Sequence, residues 1–151
     1  MIARVLAVLN GESVAPNFSG TWKANLEKSK LLGSVPREMV VKIEHADPEL
    51  VEEIVTTKVD GSEDRIVFRC LTTADEVTNS VHGAQLRSRS HWTQEVLVIE
   101  SWISVGGRNC HFRDHWSLSR DGQILTMEHR DDDLAGQMTV LEKIRQDQGN
   151  L

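Results

Sequence analysis

The sequence predicts an all-β protein, an antiparallel up-and-down barrel of about ten strands. Three observations predict this fold. Apolar and polar residues alternate over most of the chain, the periodicity of an amphipathic helix is nearly absent, and short turns separate the alternating segments. A long twisted meander of strands usually removes its exposed edges by closing into a barrel.

The strands follow from the turns between them. Asp60-Gly61, His82-Gly83, Gly106-Gly107 and Asp121-Gly122 each lie between alternating segments, and glycine readily adopts the positive φ that tight turns require. The turns divide the chain into ten predicted strands at about 18–26, 38–45, 50–59, 63–72, 76–82, 85–93, 95–105, 109–119, 123–130 and 137–145.

Three two-residue turns fix the register between the sixth and the ninth predicted strand. The turns at Gln94-Glu95, Gly106-Gly107 and Asp121-Gly122 agree on one inner face. The opposite face carries Arg87 against Trp102, a cation–π pair typical of a solvated surface. The opposed pairs of the inner face include Ser88 with Ser101, Ser90 with Ile99, Leu97 with Trp116, Ser101 with Phe112, Trp116 with Met127, and Asp114 with His129.

The third predicted strand is placed by its two flanking turns. A two-residue turn at Asp60-Gly61 places Val55 inside the barrel and Glu52 outside. Val51 points to the same side of the sheet as the inward residues of the preceding strand only if the loop around Asp47-Pro48 contains an odd number of residues. We therefore expect a bulged or longer loop at that point.

Length and charge exclude several classes of protein. The 151 residues carry 17 Lys and Arg against 23 Asp and Glu, a formal net charge of −6. This length indicates a single domain with a sizeable core. An acidic chain without a dense run of Lys or Arg lacks the positive surface that binds a nucleic-acid backbone. No apolar run approaches the roughly 18 residues of a membrane-spanning helix. We expect neither a nucleic-acid partner nor a membrane span, and the oligomeric state stays open.

The domain organisation is predicted from the residue pattern, which is uniform along most of the chain. We expect one barrel domain over 17–146, an N-terminal extension over 1–16 and a tail over 147–151. The extension contains the small-x-small pattern Ser13-Val14-Ala15, and is either a truncated signal peptide or a short capping segment. The compartment depends on this choice: cytoplasmic for the chain as given, exported if 1–15 is the remnant of a signal.

Both ends of the predicted domain resemble a known superfamily. Phe18-Ser19-Gly20-Thr21-Trp22-Lys23 resembles the opening of the calycins, which include the lipocalins and the fatty-acid-binding proteins. The last predicted strand, with Val140-Leu141-Glu142-Lys143, is similar to the closing strand of the fatty-acid-binding proteins. The opening motif and the hairpin from Asp114 to Gly122 more specifically resemble bacterial lipocalin-like proteins of unassigned function. The resemblance implies a barrel over 17–146 in which Trp22 closes one end.

The resemblance also implies a small hydrophobic or amphipathic ligand in the barrel cavity. Fatty-acid-binding proteins hold the ligand carboxylate with an Arg and a Tyr two residues apart on the last strand. The matching positions here are Thr139 and Leu141, and the chain contains no Tyr. The segment 27–37 is also too short for the two helices that cover the barrel mouth in that family. An apolar ligand is therefore implied without the Arg that anchors a fatty acid.

The candidate ligand-binding residues lie on the predicted inner face of the sixth to ninth strands: Ser88, Ser90, Ser101, Phe112, Asp114, Trp116, Met127 and His129. A buried carboxylate costs free energy unless it is paired, so we interpret Asp114 and His129 as a hydrogen-bonded pair. The pair either orients a ligand, or satisfies itself and binds nothing, or serves as the acid–base pair of an enzyme. We favour ligand binding over the enzyme, because nothing in the sequence resembles a nucleophile elbow.

We expect no metal ion and no cofactor. His111 and His115 are four residues apart on one predicted strand, about 13 Å by strand rise, and cannot share a metal ion. Cys70 and Cys110 are interpreted as two buried thiols, with a disulfide as the alternative. Three further histidines are placed at turns or on the outer face: His45, His82 and His91.

Overall fold

The computed structural model describes residues 15–132 and 136–145. These ranges contain ten β-strands and no helix, which confirms the predicted fold class. The strand boundaries differ from the predicted ones by at most two residues. The strands are β1 (Gly20–Ala24), β2 (Glu38–Ala46), β3 (Glu49–Thr57), β4 (Glu63–Leu71), β5 (Val77–Val81), β6 (Ala84–Thr93), β7 (Val96–Val105), β8 (Arg108–Leu118), β9 (Ile124–Asp131) and β10 (Gln137–Lys143).

The two predicted terminal segments lie mostly outside the described residues. Of the extension over 1–16, only residues 15 and 16 are described, and the tail over 147–151 is not. Within the described ranges, no helix is long and apolar enough to cross a membrane.

All ten strands form one antiparallel sheet that curls into a nearly closed barrel. The strand order is β4-β3-β2-β1-β10-β9-β8-β7-β6-β5, so β1 pairs with β10 and joins the two halves of the sheet. The edges β4 and β5 face each other without a backbone ladder, and we call this gap the seam. The side chain of Asn79 on β5 crosses the seam: it accepts a hydrogen bond from the amide of Arg69 (2.9 Å) and donates one to the carbonyl of Arg69 (2.8 Å).

The predicted register from β6 to β9 is confirmed. Ser88 lies opposite Ser101, Trp116 opposite Met127, and Asp114 opposite His129, as the three two-residue turns predict. On the outer face the guanidinium of Arg87 lies 5.6 Å from the centre of the Trp102 ring.

The predicted register of β3 is wrong by one residue at both ends. Asp47-Pro48 forms a two-residue turn rather than a longer loop, because Ala46 pairs directly with Glu49. At the other end Thr57 pairs with Glu63, so five residues, and not two, connect β3 to β4. These turn lengths place Glu52 on the inner face of the barrel.

The inward face of β3 consists of Leu50, Glu52 and Ile54, while Val51 and Val55 lie on the outer face. The strand carries the apolar doublets Leu50-Val51 and Ile54-Val55, so either face offers apolar side chains to the core. Turn length alone decides between them.

The first strand and the residues before it close one end of the barrel. Phe18 and Trp22 are fully buried, and Trp116 is nearly so. Gly20 has a φ of +146°, and a Cβ atom there would come within 2.8 Å of the Lys143 side chain. The Gly-x-Trp spacing thus provides the backbone conformation that brings the Trp22 indole into the core.

Both cysteines are free thiols. Cys70 is buried and Cys110 is partly buried. The disulfide alternative is therefore excluded.

Candidate functional site

A cavity of about 460 Å³ lies inside the barrel. Its wall is mostly apolar, because alternate residues of every strand from β2 to β10 face inward. A wider depression of about 840 Å³ lies elsewhere, around Lys42, Lys143 and Arg145, but most of its lining residues are polar. The interior cavity is therefore the candidate site.

Six of the eight predicted site residues line this cavity: Ser101, Phe112, Asp114, Trp116, Met127 and His129. Ser88 and Ser90 do not. Ser88 is fully buried behind Ser101, and the two hydroxyl oxygens lie 2.8 Å apart. The structure thus brings the residues of β8 and β9 together around one space and leaves two serines of β6 in the wall.

Asp114 and His129 form a direct hydrogen bond on the cavity wall. Nδ1 of His129 lies 2.9 Å from Oδ1 of Asp114, and Nε2 lies 3.7 Å from Oδ1 of Asp131. The imidazole packs on Phe112, with ring centres 4.8 Å apart. The hydrogen bond to Asp114 raises the pKa of His129 against the opposing effect of burial. The imidazole therefore keeps its proton to a higher pH than a free histidine and donates it to Asp114.

Glu52 is a cavity residue that the predicted register places on the wrong face. It is only 5% exposed, lines the cavity, and has no hydrogen bond or ion pair among the described residues. Burial, together with the smaller effect of the nearby charge of Asp114, raises the pKa of its carboxyl to about 8. The carboxyl of Glu52 therefore keeps its proton at neutral pH unless a positive charge comes close.

Among the described residues, His129 is the one basic side chain that lines the cavity. Neither Lys nor Arg of the described ranges does so, whereas Glu52, Asp114 and Asp131 do. Thr139, at one of the two positions where a fatty-acid-binding protein carries its carboxylate anchor, lines the wall, and Leu141 is fully buried in the core. Both anchor positions are therefore uncharged in this chain, and the acidic groups of the wall lie on other strands.

Ser90 and Cys70 form a buried contact on neighbouring parts of the wall. The Ser90 hydroxyl is fully buried without an oxygen or nitrogen partner among the described residues, and it interacts with the thiol of Cys70. Burial raises the pKa of this thiol to about 11, against the opposing effect of the Ser90 hydroxyl. A thiol of this kind is a poor nucleophile.

The closed end of the barrel holds a second polar group, centred on His45. This residue is 6% exposed, and its predicted position at a solvated turn is wrong. The amide of Phe18 donates to Nδ1 of His45 (3.1 Å), so Nε2 carries the hydrogen and donates to Oδ1 of Asp47 (2.9 Å). The Thr72 hydroxyl and the Trp92 indole donate to the same oxygen.

The four side chains of the closed-end group satisfy one another's hydrogen-bonding capacity. Burial alone would raise the pKa of Asp47, but the hydrogen bonds from His45, Thr72 and Trp92 outweigh it and lower the pKa. None of the four side chains lines the cavity. We assign the group a structural role.

The connection between β1 and β2 borders the other end of the cavity. Leu32 lines both the cavity and an adjoining depression of about 520 Å³, where Val35 and Val59 are at least half exposed. The amide of Leu32 donates to Oε1 of Gln137 on β10 (3.0 Å), which holds the connection against the barrel. This apolar rim is the candidate entrance.

Within the described ranges, the side chains are arranged neither as a metal site nor as a nucleophilic centre. No group of three His, Cys, Asp or Glu side chains within the described ranges is placed to hold a metal ion. The hydroxyl of Ser101 pairs with Ser88 and not with His129. The arrangement can hold an apolar molecule and present acidic hydrogen-bonding groups to its polar end.

Comparison with known proteins was made at the levels of sequence and structure. No protein-family model matches the sequence, and no curated protein does. Solved structures do match over most of the chain. Secretory abundant heat soluble protein 4 from Ramazzottius varieornatus has a TM-score of 0.59 at 13% identity, covering 89% of this chain and 100% of its own. Fatty-acid-binding protein 1 of Echinococcus granulosus has a TM-score of 0.61 at 12% identity, covering 85% and 98%.

A third similar structure is the REP1-NXSQ fatty acid transporter, with a TM-score of 0.58 at 10% identity, covering 84% of this chain and 96% of its own. The fold resembles that of these three β-barrels. At such identities the likeness concerns the fold alone, and it extends over nearly the whole of each matched chain.

Proposed function

We propose that the barrel binds a small hydrophobic or amphipathic molecule in its interior cavity. The observation that carries this proposal is a cavity of about 460 Å³ with a mostly apolar wall and one polar cluster. Small-molecule sites typically occupy about 300–1,000 Å³ and combine apolar walls with a few convergent polar groups. Two of the similar structures are named a fatty-acid-binding protein and a fatty acid transporter, which supports the same class of ligand.

The proposed contact residues are the cavity-lining members of the predicted set together with Glu52. Phe112, Trp116 and Met127 supply apolar surface, while Asp114 and His129 face the polar end of the ligand. Ser101 completes the wall, supported from behind by Ser88. Ser90 affects the site only through the packing of the wall.

The proposed binding domain spans 17–146, with 1–16 and 147–151 as flanking segments. The motifs Phe18-Ser19-Gly20-Thr21-Trp22-Lys23 and Asp114 to Gly122 support a placement near the bacterial lipocalin-like proteins within the calycins. No observation on the described residues favours the alternative of an enzyme that uses Asp114 and His129 as an acid–base pair.

A cavity-filling variant tests the proposal. Ile66 lines the cavity, and its neighbour Val67 lies on the outer face with 41% of its surface exposed. Titration with Nile red, a neutral dye that fluoresces in apolar surroundings, should show saturable binding to the parent protein. Ile66→Trp should weaken that binding at least about tenfold by occupying the space, and Val67→Trp should leave it unchanged.

Native mass spectrometry of the purified protein provides an independent readout. We expect a co-purifying small molecule that is lost in Ile66→Trp and retained in Val67→Trp. Equal dye binding by the two variants, or no saturable binding by the parent, would contradict the proposal.

A further inference from the structure

We propose that the cavity selects ligands whose polar end is a protonated amine, held between the carboxyl groups of Glu52 and Asp114. This inference rests on the proposed function and names the class of ligand that the same site takes. Three features of the cavity wall support it: an unpartnered buried acid, an excess of acidic over basic groups, and an apolar remainder that suits a hydrocarbon body.

The first feature is the isolation of Glu52. Only 5% of the residue is exposed, and it faces the cavity from β3. No donor among the described residues reaches it. Buried carboxyl groups are ordinarily paired, because an unpaired one costs free energy in either protonation state. A donor supplied by the ligand would satisfy Glu52.

The second feature is the set of titratable groups that face Glu52. Asp114 lies across the cavity on β8, and Asp131 and His129 lie on β9. Cys70 on β4 interacts with Glu52 from within the wall, and its raised pKa of about 11 keeps the thiol neutral. The lining residues of β2 and β10 contribute no charge. Three acids therefore face one imidazole.

The imidazole of His129 is not a free anchor for an anion. Its Nδ1 is held by Asp114 at 2.9 Å, and its Nε2 lies 3.7 Å from Asp131. The positive charge of the protonated ring is thus shared with two carboxyl groups. An anionic ligand would therefore find no unshared positive charge among the described lining residues.

An ammonium group fits this environment better than a hydroxyl. It offers three N–H donors and a full positive charge, so it can bond Glu52 and Asp114 at the same time. The charge of the ammonium also favours the ionised form of Glu52. Binding should therefore transfer a proton from Glu52 to solvent, with no other change in bonding.

Three ligands that share a hydrocarbon chain and differ in their head group test the preference for an amine. Displacement of Nile red at pH 7 is measured for decylamine, decanol and decanoate. We expect decylamine to bind at least about tenfold more tightly than decanol, and decanoate to bind more weakly than decanol. Nile red itself reports whether the cavity takes an apolar molecule at all.

Two matched variants locate the effect. Glu52→Gln keeps the shape of the side chain but cannot ionise, so it should reduce the affinity for decylamine at least about tenfold relative to the affinity of the same variant for decanol. Glu53→Gln is the control, because Glu53 is the next residue, on the outer face, paired with Arg65 at 2.9 Å. It should leave all three affinities unchanged.

Proton release gives a test that needs no variant. Calorimetric titration of decylamine in buffers of different ionisation enthalpy should show close to one proton released at pH 7, since Glu52 keeps its proton in the unliganded protein. The affinity for decylamine should rise with pH up to about 8. The pKa of His129 is also raised, by its hydrogen bond to Asp114, so the slope that persists in Glu52→Gln reports groups other than Glu52.

The outcomes separate this inference from the proposed function. Tight decylamine binding with proton release, lost in Glu52→Gln, supports it. Decanol or decanoate binding as tightly as decylamine, or no proton release, overturns the amine preference while Nile red binding keeps the proposed function. Absence of saturable Nile red binding overturns both.

Discussion

The indole N–H of Trp22 donates a hydrogen bond to the backbone carbonyl of Phe18, 3.0 Å away, inside the closed end of the barrel. Both residues are fully buried. Trp22→Ala should lower the free energy of unfolding by about 3–5 kcal/mol, because it removes a large buried aromatic side chain and leaves a cavity. Urea denaturation measures this loss, and a loss below about 1 kcal/mol would show that Trp22 is peripheral.

Trp22→Phe distinguishes packing from hydrogen bonding at this position. The smaller ring keeps much of the apolar contact but leaves the Phe18 carbonyl without its donor. We expect the free energy of unfolding of Trp22→Phe to lie between that of the parent and that of Trp22→Ala. If Trp22→Phe were as unstable as Trp22→Ala, the indole hydrogen bond and not the buried area would dominate.

Asp114→Asn should lower the pKa of His129 towards about 6.5, because the amide cannot attract the imidazolium as the carboxylate does. In the parent protein, the Asp114–His129 pair contributes stability that is fully present below about pH 6.5. This contribution is lost as the pH rises through the raised pKa of His129. NMR titration of the imidazole measures the change.

The same variant separates the two interpretations of the pair. If the pair orients a ligand, Asp114→Asn should weaken decylamine binding and leave the fold intact. If the pair is structural, the variant should lower the melting temperature and leave ligand uptake unchanged. An unaltered His129 pKa would exclude both roles.

Glu52 should make the protein less stable as the pH rises from about 4.5 to about 8. The unfolded chain releases this proton near 4.5 and the folded protein near 8, so the folded state binds more protons between these values. At about 1.4 kcal/mol per pKa unit the loss is about 3–5 kcal/mol. Glu52→Gln should remove this dependence and be the more stable protein at pH 9.

Glu53→Gln provides the comparison for that measurement. Glu53 lies one residue away on the outer face and bonds Arg65. Its variant should keep the pH dependence of the parent in denaturation series from pH 4 to 9. An identical dependence in Glu52→Gln would show that the carboxyl of Glu52 is ionised at neutral pH or solvated.

Ser88 and Ser101 should show strong non-additivity. Their hydroxyl oxygens are 2.8 Å apart and both residues are at most 1% exposed. Either single change to Ala leaves a buried hydroxyl unpaired and should cost about 1–3 kcal/mol, whereas the double change removes both partners and should cost less than the sum. Additive losses in a double-mutant cycle would contradict the pairing.

Much of the barrel was predictable because its tight hairpins leave little freedom. Between β6 and β8 a two-residue turn sets each register, and the register of β8 with β9 is the predicted one although residues 119–123 connect them. The apolar alternation of each strand points to the same face. Local geometry and burial agree there. The opposition of Asp114 and His129 followed directly from these turns.

β3 could not be placed in this way, because its sequence contains two apolar faces. Leu50 and Ile54 alternate as well as Val51 and Val55 do, so the alternation gives no preference. The five-residue connection after β3 is stabilised by backbone contacts such as the Lys58 amide to the Ser62 carbonyl (2.8 Å). An Asp-Gly pair inside such a loop resembles a two-residue turn in the sequence.

The two missed residues, Glu52 and His45, have different physical causes. Glu52 is inward because of the β3 register, and a charged residue on an apolar face is normally assigned to solvent. His45 is buried because Phe18 donates to it across 27 positions of the chain. Contacts of this range leave no mark in the local pattern, although the alternation of β2 from Val41 through Ile43 to His45 provides one signal of its inward direction.

The seam between β4 and β5 gives the chain a single natural point of division. Every other pair of consecutive strands is a hydrogen-bonded hairpin, so a cut after Asp75 would break none of the described ladders. The two pieces would keep β1–β4 and β5–β10 as separate sheets with complementary edges at β1 and β10. The isolated β-bridge between Thr73 and His91 would then join the two pieces. Such a barrel lends itself to fragment complementation, in which two peptides made separately reassemble and restore the cavity between them.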